Sequence, residues 1–254
     1  MSEQPPRRER GTVLSLVHLL PNLMTLGAVC AGMTSIRFAI EGQVVTSMSL
    51  IVLAAVLDGL DGPTARFLKS ESAIGAELDS LADFINFGVA PGLLLYLWAL
   101  HDGRSAGWIG VLIYGVCCAY RLARFNVASR IETTTPKTTF TGVPAPGAAL
   151  LVLMPLVFSR TIPGPTGPIL PVFTGVWLVF VGFLMISRFP TPALKTLRVP
   201  RDKAPFVTVA LLGFIAIFLT WPWPALLAIE VGYLALLIRY AMHDRFRVRK
   251  EADE

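Results

Sequence analysis

Charge is scarce in this chain. Asp, Glu, Lys and Arg make up 15% of its 254 residues, against 54% hydrophobic ones, which is too little polar surface to cover a soluble domain. Cysteine is nearly absent. Cys30, Cys117 and Cys118 each lie in an apolar run, at spacings that suit neither a disulfide framework nor a zinc site, and they read as packing residues. The three histidines, His18, His101 and His243, fall at or beyond the ends of apolar runs. No internal repeat, low-complexity segment or basic-aromatic platform for nucleobases is visible. The net charge of +5 therefore reads as topology and attraction to anionic lipid, with no nucleic-acid partner.

What the chain has instead is apolar length. Its mean hydropathy is +0.64, and apolar runs fall at 19–40, 44–68, 73–100, 105–128, 143–159, 168–187, 205–220 and 222–242. Each is near the roughly 20 residues that cross a bilayer as helix, the fifth and seventh at the short end. The expected fold is an all-α integral membrane protein of about eight transmembrane helices, or six or seven if a short run lies in the interface. Basic residues set the orientation. With the N-terminus in the cytoplasm, 19 of the 22 Lys and Arg fall in cytoplasmic segments, only Arg104 and Arg160 in outer loops, and Arg37 inside the first span. That asymmetry fits an even number of spans with both termini cytoplasmic.

The expected organisation is a cytoplasmic tail and interfacial helix over 1–18, a transmembrane domain over 19–242 and a charged cytoplasmic tail over 243–254. Residues 12–20 suit the short interfacial helix. Two longer cytoplasmic connections fall near 129–142 and 188–204, and the outer SRTIPGPTGP segment reads as a connector. The basic start and first apolar run, with small residues around Gly27–Ala31, could pass for a signal peptide. Cleavage there would remove the first span and put the remaining basic loops on the wrong side.

Against this apolar background stand four aspartates, Asp58, Asp61, Asp79 and Asp83, inside two of the runs. A carboxylate at mid-helix costs about 2.5–3.5 kcal/mol on insertion scales. Asp58 and Asp61 lie about 60° apart around one helix, and Asp79 and Asp83 about 40° apart around the next. A cytoplasmic turn at 67–75 makes these helices an antiparallel hairpin, so both pairs reach similar depth. Four like charges that close need cations between them. Oxygen ligands without His or Cys select Mg²⁺ or Mn²⁺. Gly62, Ala65 and Gly75 leave room for a ligand near backbone, Pro63 removes an amide hydrogen and loosens its helix, and Arg66 is a fixed charge suited to phosphate. Metals, an arginine and bare backbone together describe a diphosphate site. Two other readings stay open on the residues alone: pairing of the aspartates with Arg66 or Lys69 as helix glue, and a cation or proton transporter using the intramembrane carboxylates.

The pattern Asp58-x2-Asp61-Gly62-x2-Ala65-Arg66-x8-Gly75-x3-Asp79-x3-Asp83 resembles the signature of the CDP-alcohol phosphotransferases. The resemblance implies a membrane enzyme, usually a homodimer, that transfers a phosphatidyl group from a CDP-linked lipid to an alcohol and releases CMP. It also implies a six-helix core, here with two helices added. In that family the positions of Asp58, Asp61 and Asp79 bind two metal ions. Asp83 also lies at the metals and is taken as the general base, while Gly62, Ala65, Arg66 and Gly75 surround the cytidine nucleotide. LLPNLMTLGAVCAG at 19–32, GAELDSLADFINFGVAPG at 75–92, YRLARFN at 120–126 and FTGVPAPGAA at 140–149 resemble the membrane-embedded phosphatidylserine synthases. The implied donor is CDP-diacylglycerol and the implied acceptor L-serine, with glycerol phosphate or an inositol-type alcohol as the alternatives. The implied setting is a bacterial inner membrane with the site facing the cytoplasm.

Arg121 and Arg124, with Asn126, are candidates for holding a phosphate or the serine carboxylate; the plainer reading of both arginines is positive-inside anchoring. Glu230, alone in the last run, reads as an interhelical or interchain hydrogen-bonding group.

Overall fold

The computed structural model describes residues 16–70, 72–101, 105–131, 139–162, 169–187, 190–192 and 204–252. The expected tail up to residue 15, most of the connector at 159–168 and most of 188–204 lie outside the described residues. A short 3₁₀ turn, Leu16–Leu19, leads into α1 (Leu20–Ile40), with Pro21 in its first turn, where a missing amide hydrogen costs nothing. A tight turn through Gly42 returns the chain as α2 (Val44–Leu68).

These two helices lie against each other through small side chains. Ala28 and Ala31 of α1 meet Ala54 of α2, with Leu50 and Leu57 packed at the edges. Ser35 and Ser47, both buried, share a hydrogen bond of 2.9 Å across the same seam. Close backbone approach and hydroxyl pairing are how helices associate where lipid is as apolar as the side chains.

α2 runs unbroken through Pro63 and ends in a Schellman closure. The Ser70 amide donates to the Ala65 carbonyl at 3.0 Å and the Lys69 amide to Arg66 at 3.3 Å, with Lys69 in the left-handed region at φ 51°. Ser72 then caps α3 (Ala73–Asp83), its Oγ accepting from the Gly75 amide at 3.0 Å. This turn makes the expected hairpin.

The third span continues past α3 as one helical run to Leu100, in which two stretches are wound more widely than an α-helix. These are the π-type segments Phe84–Val89 and Tyr96–Leu100, with α4 (Ala90–Leu95) between them. The first follows Asp83 directly, and the Tyr114 hydroxyl donates to the Phe87 carbonyl there at 2.7 Å. Tyr114 belongs to α5 (Ser105–Ile131), which packs along α8 (Ile169–Ile186). Phe87, Leu94, Leu95, Tyr114, Leu151, Leu178 and Val181, all fully buried, form the centre of the core.

The run at 143–159 departs from a single span. It forms α6 (Ala145–Val152) and α7 (Met154–Thr161), broken at Leu153. Pro155 in the first turn of α7 accounts for the break, because it cannot donate back along the helix. The Leu151 carbonyl at this break accepts from Trp177 Nε1 at 2.7 Å. The strands β1 (Thr139–Thr141) and β2 (Pro190–Pro192) pair antiparallel beside the ends of α5 and α8. The chain closes with α9 (Ala204–Thr220) and α10 (Pro222–Ala252), so the segment from residue 243 continues a helix.

Among the described residues, six helices are long and apolar enough to cross a membrane: Val17–Ile40, Val44–Leu68, Ala73–Leu100, Ser105–Ala128, Ile169–Ile186 and Pro222–Met242. Large apolar side chains such as Val116, Val172 and Phe183 point outward along these helices. An apolar exterior of this extent is stable in lipid and not in water. The chain is an integral membrane protein.

Candidate active site

The hairpin of α2 and α3 brings Asp58, Asp61 and Asp79 together. One carboxylate oxygen from each lies within 4.8 Å of the others. Asp61 sits seven residues before the end of α2, which is about 10 Å along the axis, so the cluster lies a short way below the helix ends. Its orientation is set from α1: the Thr25 hydroxyl donates to Asp61 Oδ2 at 2.7 Å. The Pro21 carbonyl, at 3.1 Å from the same hydroxyl, is the weaker acceptor for its single hydrogen.

Asp83 stands one turn deeper on the same face. Its carboxyl lies beside that of Asp58, while its Oδ1 is buried and has no hydrogen-bond partner. None of these four carboxylates has a lysine or arginine within ion-pair distance among the described residues, where the Arg37–Glu41 pair of 2.9 Å stands far from the cluster in sequence. Pairing with Arg66 or Lys69 as helix glue is therefore not what this arrangement does.

A group of oxygens this tight is strongly self-repelling. At 4.8 Å each pair of full charges costs about 3.5 kcal/mol at an effective dielectric constant of about 20. The donor set, all carboxylate oxygen with no nitrogen or sulfur, and the unpartnered Asp83 Oδ1 both fit hard divalent cations.

Beside the cluster opens a cavity of ≈ 400 Å³. Asp61 and Asp79 line it, and so do Gly62, Ala65, Arg66 and Gly75. The rest of the wall comes from Pro21, Asn22 and Thr25 of α1, from Ser70 and Ser72 of the turn, and from Ala76. Gly75 is the tighter of the two glycines. A Cβ on Gly75 would lie 3.1 Å from both Asn22 Oδ1 and Ser72 Oγ, and one on Gly62 would lie 3.6 Å from Arg66 Nη1. Ser70 Oγ is buried on the wall with no partner. A pocket combining a guanidinium, small residues and one unpaired hydroxyl beside an acidic cluster has the chemistry to take a phosphate-bearing ligand with metal.

The residues from the YRLARFN segment lie elsewhere. Arg121 is buried on α5, within electrostatic reach of Asp83. Arg124, one turn on, donates to the carbonyls of Ile186 at 3.0 Å and Ser187 at 3.4 Å, closing the end of α8. Asn126 Oδ1 accepts from Ser80 Oγ at 3.0 Å, tying α5 to α3. Reasoning from sequence missed Asn22, Thr25, Ser70 and Ser72. Thr25 carries a usable signal, a hydroxyl within an apolar run, but its partner is visible only in three dimensions.

The CDP-alcohol phosphatidyltransferase family profile matches residues 18–186, which holds every aspartate of the cluster. A Mycobacterium leprae protein named CDP-diacylglycerol–serine O-phosphatidyltransferase is 40% identical over 243 residues, covering 94% of this chain and 79% of the relative. A protein of the same name from Mycobacterium tuberculosis is 38% identical over 249 residues, covering 97% and 82%. Another from Helicobacter pylori is 35% identical over 182 residues, covering 72% and 75%.

Proposed function

The chain belongs to the CDP-alcohol phosphatidyltransferase family, and on that footing we propose that it transfers the phosphatidyl group of CDP-diacylglycerol to the hydroxyl of L-serine, releasing CMP. The observation that carries this reading is one cavity lined by Gly62, Ala65, Arg66 and Gly75 and bordered by converging carboxylates. The acceptor rests on the names of relatives at 35–40% identity.

In this reading Asp58, Asp61, Asp79 and Asp83 hold two divalent cations, Mg²⁺ or Mn²⁺. Bound there, such ions neutralise the diphosphate and make CMP a better leaving group. Thr25 fixes Asp61 so that its oxygens face the cluster. Arg66 binds a phosphate oxygen at the mouth, and Gly62, Ala65 and Gly75 admit the nucleotide against backbone. Asp83, with Oδ1 free of any partner, accepts the proton from the serine hydroxyl as that oxygen attacks phosphorus. The acyl chains stay in the leaflet while CMP leaves to water.

The basic-loop asymmetry supports eight spans with both termini in the cytoplasm, α6–α7 and α9 supplying the two beyond the six long helices. That topology puts the cluster near the cytoplasmic face, and the bacterial relatives support an inner-membrane setting. Family resemblance supports a homodimer.

The test is purified protein with CDP-diacylglycerol, Mn²⁺ and separate alcohols, following CMP. Serine-dependent release is expected. Release only with glycerol phosphate or inositol would replace the acceptor. No release with any alcohol, together with cation flux into vesicles, would replace the enzyme by a transporter.

A further inference from the structure

The bundle carries another cavity, at the end away from the aspartates. Its volume is ≈ 410 Å³, within the roughly 300–1,000 Å³ of ligand pockets. α2 lines one side from Val45 to Val56, and Phe218 of α9 with Trp223 and Leu226 of α10 lines the other. The lining is apolar except for Ser49, whose hydroxyl is spent on the Val45 carbonyl at 2.9 Å. Leu53 and Val56 are exposed, so the groove opens on the outside of the bundle, where the surroundings are lipid.

Length and charge select the occupant. From Val45 to Val56 the groove covers about 16 Å of helix, close to the roughly 15 Å that one leaflet contributes to the hydrocarbon core. A packed transmembrane helix would need a strip about twice as long, whereas an acyl chain needs one leaflet. At the mouth, Arg160 in the last turn of α7 holds its guanidinium 6.0 Å from the Trp223 ring. Arg160 is exposed, and no carboxylate lies within ion-pair distance of it among the described residues. Arg37, at the same end of the bundle, gives the contrast: it is paired with Glu41 at 2.9 Å. Trp221 and Trp223 mark the depth of lipid headgroups, and a guanidinium at that depth suits a phosphate.

We propose that this groove binds an anionic phospholipid of the leaflet away from the aspartate cluster, with one acyl chain along α2 and its phosphate on Arg160 beside Trp223. The chain fills the space between α2 and the α9–α10 turn, so the lipid joins the last two helices to the hairpin that carries Asp58 and Asp61. Nothing in this site depends on the chemistry at the cluster, and it stands whichever alcohol the enzyme uses.

The experiment is native mass spectrometry of the delipidated full-length protein in detergent and EDTA, titrated with phosphatidylglycerol or with phosphatidylcholine of the same chains. It reads bound lipid and oligomeric state together. Phosphatidylglycerol should bind about 5-fold more tightly, the preference that one arginine at a membrane surface supplies. Arg160→Gln should bring the two lipids to parity. Leu53→Trp, which fills the groove, should weaken both several-fold, and should that variant fail to fold, Val56→Phe reads the same loss. Arg66→Gln should leave the preference intact. The site is overturned if the unaltered protein binds both lipids equally, if Arg160→Gln keeps the preference, or if Arg66→Gln abolishes it, which would put the lipid in the cavity at the cluster. It is also overturned if Leu53→Trp turns a dimer into a monomer with lipid binding unchanged, since a second copy would then fill the groove.

Discussion

Asp61→Asn separates the cost of the carboxylate cluster from its use. The three oxygens within 4.8 Å repel by about 3.5 kcal/mol per pair at full charge and a dielectric constant of about 20. Neutralising one of them removes two of the three terms. Water reaching the half-buried Asp58 and Asp79 screens most of that, leaving about 1–3 kcal/mol. Asparagine keeps an oxygen to accept the Thr25 hydroxyl, so the local packing is preserved. In EDTA the variant should therefore melt above the unaltered protein, by roughly 2–4 °C per kcal/mol for a chain of this size. Addition of Mn²⁺ should reverse the order. At 100 times the dissociation constant a site stabilises by about 2.7 kcal/mol, a gain the variant should largely lose. Thermal melting by light scattering in detergent, with and without Mn²⁺, reads both signs. A variant that melts lower in EDTA, or that keeps the full Mn²⁺ shift, would refute the view that these carboxylates form a cation cage.

Tyr114→Phe should cost about 1–3 kcal/mol in thermal stability, because it leaves the buried Phe87 carbonyl without its 2.7 Å donor; it should also lower kcat, since that carbonyl lies in the wide turn after Asp83. Gly75→Ala should raise KM for CDP-diacylglycerol several-fold in the CMP assay, as its Cβ would lie 3.1 Å from Asn22 Oδ1 and Ser72 Oγ in the pocket wall. Glu230 is fully buried with neither carboxylate oxygen partnered, so Glu230→Met should raise the melting temperature, with a gain of order 1–3 kcal/mol. A loss there would show that the carboxyl has a use in the membrane.

The aspartate hairpin was legible because its determinants are local. Spacings of three and four put each pair on one helical face, and the apolar runs at 44–68 and 73–100 coincide with Val44–Leu68 and Ala73–Leu100. The turn itself uses Ser72 as a cap, a residue type that sequence reasoning rewards, but also Lys69 at φ 51°, which no propensity favours. What was not legible depends on contacts between distant segments. The Thr25–Asp61 bond spans 36 residues and the Tyr114–Phe87 bond 27. Likewise, nothing in YRLARFN distinguishes Arg124, which closes the end of α8, from Arg121, which is buried near Asp83 with Nε unpaired.

The span count turns on the same distinction between length and breakage. Hydropathy averages over the 143–159 run and is blind to Pro155, which splits it into two helices of 8 residues each. The two together still cover 145–161, about 25 Å if laid end to end, which is close to the hydrocarbon thickness. A break inside a membrane is tolerated when neighbouring groups satisfy the freed carbonyls. Trp177 does this for Leu151 at 2.7 Å. The break leaves Gly147 of α6 close against the Tyr233 ring while α7 packs along α10. Counting α6–α7 as one interrupted crossing and α9 as another keeps the basic loops on one side, whereas six crossings would divide them between the two faces. Cysteines placed singly at Ser159 and Thr220 in a cysteine-free background should then both react with a membrane-impermeant maleimide from outside sealed cells. Protection of either would remove one of the two added crossings.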